Sequence, residues 1–368
     1  MDVLDRELRR LLQQLTLGSI VKPTNILEER ENFLNPRHLH RRKSPMFRYK
    51  QFSSKWTDLK LTLPLTSMDA PKEVIDIYRE KQRELSRTKK MFDAIGSDNF
   101  TRFSIDIFGA PTAEDAHEAH DVLKKLSDVA TPERNCSAVE FAKLLEERIQ
   151  KLGISIDVKL DPSMTTKVWV DGVSRGIHLN QSALFAPQEI NRLLVHEVDV
   201  HAVRIHNGSC FPWGIFAMGT AGYREAEEGL AVHYEREMDC LYPFQEKIYA
   251  GRCLAVYLSL SSGFADVFAE LLTYFDDKTA YSIVERIKRG MTDTSRPGAL
   301  TKDFHYFSGP KKIQSYLLGG GDLPMLMGGK IAFNHAPVIA RLVQEKTVDI
   351  SKWVFPVELN DDREFLPI

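Results

Sequence analysis

Apolar residues recur at helical spacing from the start of the chain. Leu4, Leu8, Leu11, Leu12 and Leu15 predict a short amphipathic helix ended by Gly18. A longer one is predicted between Pro71 and Gly96, where Val74, Ile77, Tyr78, Leu85, Met91, Phe92 and Ile95 stand among many charges. Residues 112–126 and 137–152 read as two further helices, the second closed by Gly153. The period then changes from helical to alternating. Residues 154–160 alternate strictly, 165–170 follow a turn at Asp161-Pro162, and 175–179 follow Asp171-Gly172, so three short strands in a meander are predicted. Pro187 suits the first position of the next helix and Glu189 the positive end of its dipole. Downstream lie a helix over 224–239 with an acidic front, long apolar helices over 244–275, another over 281–289, and a looser glycine-bearing stretch to 330. Two last helical segments follow. The expected fold class is α+β, mainly helical, with a small β-meander leading into the helix that opens at Pro187.

Composition narrows the setting. The chain has 368 residues, 43% of them hydrophobic and 27% charged, as in an ordinary soluble globular protein. No window of about 18 uninterrupted apolar residues occurs, so no membrane partner is expected. The charged start Met1-Asp2-Val3-Leu4-Asp5 lacks the basic and apolar regions of a secretory signal. Cys136, Cys210, Cys240 and Cys253 are scattered, with neither a zinc-ribbon pair nor a disulfide framework. A cytoplasmic protein is the expectation. A net charge of −2 gives no general attraction to nucleic acid, and neither a phosphate-binding loop nor a dinucleotide fingerprint is present. The division expected is 1–69, an N-terminal helix and a basic, aromatic segment packed on the body, and 70–368, the main domain. In that first part Arg37, Arg41, Arg42, Lys43, Arg48, Lys50, Lys55 and Lys60 face one acid, Asp58, with Phe47, Tyr49, Phe52 and Trp56 interleaved. Either the aromatics anchor an irregular solvated segment, which is the favoured reading, or the stretch docks an acidic partner.

The stretch richest in chemistry is His196-Glu197-Val198-Asp199-Val200-His201. A helix-borne zinc site usually spaces its two His four apart, with Glu directly after the first. Five steps of about 100° put the second ring about 140° round from the first on a straight α-helix. A π-type bulge, or a helix that ends and turns, is needed to bring His201 back to His196. A catalytic zinc ion takes three protein ligands and keeps one position open, and Glu197 would stand where a general base is needed. The third ligand must come from downstream. Glu225, Glu227 and Glu228 are candidates on a helix able to pack against the first, and Glu228 is preferred because Gly229 beside it allows close approach. A strand edge near the metal would suit an extended peptide. His117 and His120, three apart on an acidic helix, lack apolar shielding and a third partner, and read as a solvated face.

These motifs resemble the metallopeptidase family of the microtubule-associated tyrosine carboxypeptidases and the bacterial proteins named for a Gln-Glu-Gly-Leu-Ala motif. The resemblance is carried by His196-Glu197-x-x-x-His201, Arg204, Asn207-Gly208 and Glu227-Glu228-Gly229-Leu230-Ala231. Ile177-His178-Leu179-Asn180, Arg289-Gly290, Thr301-Lys302-Asp303-x-x-Tyr306 and Gly329-Lys330-Ile331 extend it. It implies a zinc-peptidase-like domain in which His196, His201 and Glu228 bind Zn2+ and Glu197 is catalytic. It also implies a carboxypeptidase that releases C-terminal tyrosine from a protein or peptide, tubulin and microtubules being the partners of the characterised members. The terminal carboxylate then needs a cation, for which Lys302, Arg289 and Lys330 are candidates, with Tyr306 supporting the oxyanion. Two positions depart from the family pattern: Asp199 stands where Gly is usual, and Ala226 where Thr is usual. Asp199, tolerant of left-handed backbone angles, would sit at the rewound point and could crowd the metal. An inactive member acting as a binding or regulatory protein is the alternative that this residue favours.

Overall fold

The computed structural model describes residues 3–35, 42–52, 56, 58–164 and 166–356. Among them the chain is mainly helical with two small sheets, so the α+β class holds. Helix α1 (Lys72–Asp93) and helix α2 (Ala138–Leu152) follow their sequence signals closely. In α2 the Ser137 hydroxyl accepts from Glu140 N–H while the Glu140 carboxylate accepts from Ser137 N–H, and Gly153 closes the helix at φ 66°. The first helix is shorter than expected. It spans Val3–Gln14, and Leu17–Ile20 forms a separate turn, but Leu4, Leu8 and Leu11 are buried as their spacing predicts.

The strands β1 (Cys136–Ser137), β2 (Asp157–Asp161), β3 (Val168–Asp171), β4 (Gly176–Asn180) and β5 (Leu184–Phe185) correct the meander. The larger sheet has the order β2-β4-β3. β3 and β4 form the expected antiparallel hairpin, whereas β2 crosses over and pairs parallel to β4 on its other side. Alternation reports which face a residue takes, not which neighbour its strand takes, so the order was not legible in it. Thr165, where the second strand was expected to begin, lies outside the described residues. Ile177 and Leu179 of central β4 are fully buried. β5 pairs with β1 and hands the chain through Ala186 to Pro187.

Helix α3 (Pro187–Leu193) runs into a π-helix over Leu194–Ala202, which continues as the α-helix Val203–Gly208. This π segment is the rewinding that the five-residue spacing demanded. Asp199 does not provide it through a left-handed angle, because no residue of the segment has positive φ. The extra residue is absorbed over a whole i→i+5 turn. Asp199 is fully buried and faces away from the histidines, its two oxygens receiving Arg148 Nε at 2.8 Å and Nη2 at 2.6 Å from α2. That bidentate pair fastens the π segment to α2.

Helices α4 (Tyr223–Glu237), α5 (Pro243–Ser259), α6 (Asp277–Ile287) and α7 (His305–Leu318) complete the surroundings of the site. Two apolar cores support them. One joins the N-terminal helix, α1, α2, the sheet, the π segment and Leu230 and Ala231 of α4; the other joins α5, α6, Phe307 of α7 and Phe304 just before it. The basic segment is tied down by its aromatic residues: Phe47 is buried, Tyr49 Oη donates to Met291 O at 3.1 Å, and Trp56 Nε1 donates to Asp93 at 2.6 Å. Its Arg42 is paired with Asp277 at 2.6 Å, while Arg37, Arg41 and Lys55 lie outside the described residues. Exposed His117 has Asp121 as its one ion-pair partner among the described residues, at 3.6 Å, while half-buried His120 packs edge-on to Tyr274 with ring centroids 6.1 Å apart. All four cysteines are free thiols. No helix of the described residues is long and apolar enough to cross a membrane.

Removing Arg148 leaves the Asp199 carboxylate buried without its counter-charge. Arg148→Met should lower unfolding stability by about 3 kcal/mol, toward the low end for a broken buried pair because Arg148 reaches solvent. Adding Asp199→Ala should return part of that loss in denaturant titrations; a double variant no more stable than the single one would show that the pair is not what holds the segment.

Candidate metal and catalytic site

The π turn sets His196 and His201 one above the other, their ring centroids 4.6 Å apart and their planes crossed at 81°. α4 faces them and presents Glu228. Its Oε2 stands 3.5 Å from His196 Nε2 and 3.8 Å from His201 Nε2, buried and without a donor at hydrogen-bonding geometry. Burial works against this carboxylate, but His196, His201 and Lys302 hold it down at about 2. Burial likewise opposes a charge on His196, and Glu228, Glu235 and Glu197 around it outweigh that and push it up to about 10. Donor atoms of His196, Glu197 and His201 also lie within 4.8 Å of one another. The two carboxylates differ in their company. Glu228 points between both Nε2 atoms, whereas Glu197 is buried beside them and makes no hydrogen bond or salt bridge among the described residues.

The other glutamates of α4 go elsewhere. Glu227 is buried behind His201, 3.1 Å from its Nδ1, and meets Arg204 and, at 2.7 Å, Lys330 Nζ. Glu225 reaches Lys312 at 3.6 Å on the outer face. Gly229 does permit a close approach, but to α7 and not to the π segment: a Cβ there would stand 2.8 Å from the Gly309 carbonyl oxygen.

The substrate-binding expectations divide. Lys330 is committed to Glu227, and Arg289 is paired with Glu285 at 2.7 Å, so neither is a free cation at the site. Both read as candidates because pairing with an internal carboxylate leaves no mark on the local sequence. Lys302 does lie beside Glu228; burial and Arg286 bring it down to about 8 against the opposing pull of Asp303. Tyr306 is stacked on His196, with centroids 6.1 Å apart, and on Tyr249, at 5.2 Å. Burial, then Glu228, keep its phenol well above its usual range, and its hydroxyl makes no hydrogen bond among the described residues.

Sequence reasoning missed several neighbours. Glu235 binds His196 Nδ1 at 2.7 Å, and lies seven residues after Glu228 on one helix, a spacing that returns to the same face. Arg252 on α5 sits 5.0 Å above the Tyr306 ring and has no carboxylate partner among the described residues. Arg286 on α6 and Lys302 both hold Asp303. No local pattern marks these cations. Arg204 and Asn207 turn out to be ties: Arg204 donates to Leu326 O and Ile331 O, and Asn207 to Met327 O and Val354 O.

Residues 31–365 match the family model described as microtubule-associated tyrosine carboxypeptidase. The chain belongs to that family. Microtubule-associated tyrosine carboxypeptidase 1 of Mus musculus is 22% identical over 312 residues, which is 80% of this chain and 55% of that protein. The Rattus norvegicus protein of the same name gives the same identity and coverage. The Homo sapiens one is 28% identical over 151 residues, 38% of this chain and 31% of its own. The chain thus spans about half the length of the rodent relatives it matches.

The contact of Gly229 with Gly309 is backbone against backbone, so it leaves no room for a methyl group. Gly229→Ala should cost about 1–3 kcal/mol by overpacking. A melting temperature unchanged from that of the native chain would show that α4 and α7 are free to separate.

Proposed function

We propose that this protein is a zinc-dependent carboxypeptidase that hydrolyses the last peptide bond of a protein chain and releases tyrosine, with the tubulin tail as substrate. The observation that carries the reading is that the buried Glu228 Oε2, from the facing helix, comes within 3.5 and 3.8 Å of the Nε2 atoms of both His196 and His201. Four ligands at bond lengths of about 2.0–2.2 Å around a tetrahedral ion stand about 3.3–3.6 Å apart. Glu228 Oε2 lies at 3.5 and 3.8 Å from the two Nε2 atoms, so the residues fit. Two imidazoles and one carboxylate form a donor set suited to zinc, and His196, His201 and Glu228 would hold it. When bound, a zinc ion supplies Lewis acidity to water and to the scissile carbonyl.

The rest of the chemistry belongs to side chains of this chain. Glu197, unpaired and next to the ligands, takes a proton from the attacking water as its oxygen bonds to the carbonyl carbon. It then gives that proton to the leaving amine as the C–N bond breaks. Tyr306 stays protonated through the working range and is free to donate to the oxyanion. Around Asp303 stand Arg252, Arg286 and Lys302, three cations against one carboxylate, an excess suited to a substrate's terminal carboxylate. Arg252 is the one of these whose charge is left without an acidic hydrogen-bond partner. The half-buried Tyr306 ring, backed by the buried Tyr249 stacked on it, offers an aromatic face to the departing residue. Edge strand β3 packs beside the π segment, where an extended peptide can pair with it.

The family name supports tyrosine as the residue released and microtubules, hence the cytoplasm, as the setting. Asp199, on which an inactive binding role would rest, is turned into α2 and leaves the donor gap clear.

Zinc content should be near one per chain and be lost in Glu228→Ala. Glu197→Gln should retain the metal yet release tyrosine from a peptide ending in Glu-Glu-Tyr about 10²–10⁴-fold more slowly, which mass spectrometry of the products reads. Undiminished release by that variant would sink the mechanism. Arg252→Met should raise KM for the free-carboxylate peptide more than it lowers kcat; the reverse split would remove Arg252 from substrate binding.

A further inference from the structure

Both histidines turn one nitrogen toward Glu228, and each turns its other nitrogen onto a different buried carboxylate. His196 Nδ1 is hydrogen-bonded to Glu235 at 2.7 Å, and His201 Nδ1 stands 3.1 Å from Glu227 Oε1, at ion-pair distance and outside hydrogen-bond geometry. Each carboxylate is itself held. Glu235 receives Arg192 Nη1 at 2.8 Å and the Tyr249 hydroxyl at 3.0 Å, and Glu227 receives Arg204 and is ion-paired with Lys330. Arg204 in turn is fixed by two backbone carbonyls. Glu227, Glu228 and Glu235 all belong to α4.

We infer that Glu235 and Glu227 are positioning residues that fix the tautomer and orientation of the two metal-binding rings, so that one helix sets both Nε2 atoms and supplies the third donor. A neutral imidazole has one N–H donor and one acceptor nitrogen. A carboxylate accepting Nδ1–H leaves the Nε2 lone pair facing Glu228 and makes it more basic toward a cation. The Arg and Lys partners keep the two carboxylates ionised and immobile, which an uncompensated buried acid would not be. Glu235 has a second consequence. Tyr249, which donates to it, is stacked on Tyr306, so the holder of His196 also holds the ring that backs Tyr306.

This inference rests on the metal site proposed above, and zinc affinity separates the two. The full chain is titrated with Zn2+ against a competing chelator, with helical content and Tm followed alongside. Glu235→Gln, which keeps the shape and removes the charge, should bind zinc about 10–100-fold more weakly at near-native helical content. Glu227→Gln should do the same at His201. Native protein that binds no zinc would overturn the metal site itself, whereas native protein that binds and folded variants that bind equally well would overturn the positioning role alone. A measurement that needs no variant covers the case of misfolding: in zinc-loaded native protein labelled with 15N-histidine, both rings should carry Nδ1–H protons shifted downfield and protected from exchange. An Nε2–H tautomer at either ring would refute the assignment.

Discussion

The i→i+5 hydrogen bonding of Leu194–Ala202 is the constraint to which the other parts of the site answer. A regular α-helix would send one imidazole toward α4 and the other toward the core, and no choice of third ligand could then close the set. The π turn brings both rings to one side at the expense of poorer helical hydrogen bonding. Its surroundings offset that expense. Val198, Val200 and Ala202 are fully buried, and Asp199 is clamped by Arg148 on the face opposite the histidines. Asp199, one of the two positions that depart from the family pattern, thus ties the backbone of the π segment to α2.

Around that turn the charges alternate in layers. Two imidazoles and Glu228 form the innermost layer, Glu235 and Glu227 the next, and Arg192, Arg204 and Lys330 the one behind. So many buried ionisable groups would be ruinous singly, because an unpaired buried charge costs several kcal/mol. Here each layer supplies the counter-charge of the one in front, and Arg204 leans in addition on two backbone carbonyls, those of Leu326 and Ile331. Such networks are worth little net stability but hold geometry firmly, since any displaced member strands its neighbours.

Much of this was legible in the chain, and the limits have physical causes. The spacing of five announced a rewound helix because ring direction follows from residue count alone. Ser137, Gly153 and Pro187 marked helix ends because capping is a local interaction. Glu228 could be singled out from Glu225 and Glu227 by its glycine neighbour, although that glycine proved to face α7. What failed were properties that depend on distant partners. The β2-β4 pairing is parallel, and nothing in an alternating strand names its neighbour. Lys330 and Arg289 read as free cations because their acids, Glu227 and Glu285, are brought to them only by the fold, or, for Glu285, by a helical turn shared with other equally placed charges. Arg252 and Arg286 went unread for the converse reason: their place beside Tyr306 and Asp303 exists only after α5, α6 and α7 have packed.

Gly229 and Gly309 touch through their main chains, so their crossing is a backbone strut between the helix carrying Glu228 and the helix carrying Tyr306. Neither glycine carries a side chain, yet together they gauge the separation of the two helices. The distance between Glu228 and the Tyr306 ring is thus governed from a point away from both side chains. Under the proposed reaction, selectivity for a large terminal side chain would follow the thickness of that strut, with Glu197, Glu228 and Tyr306 left in place.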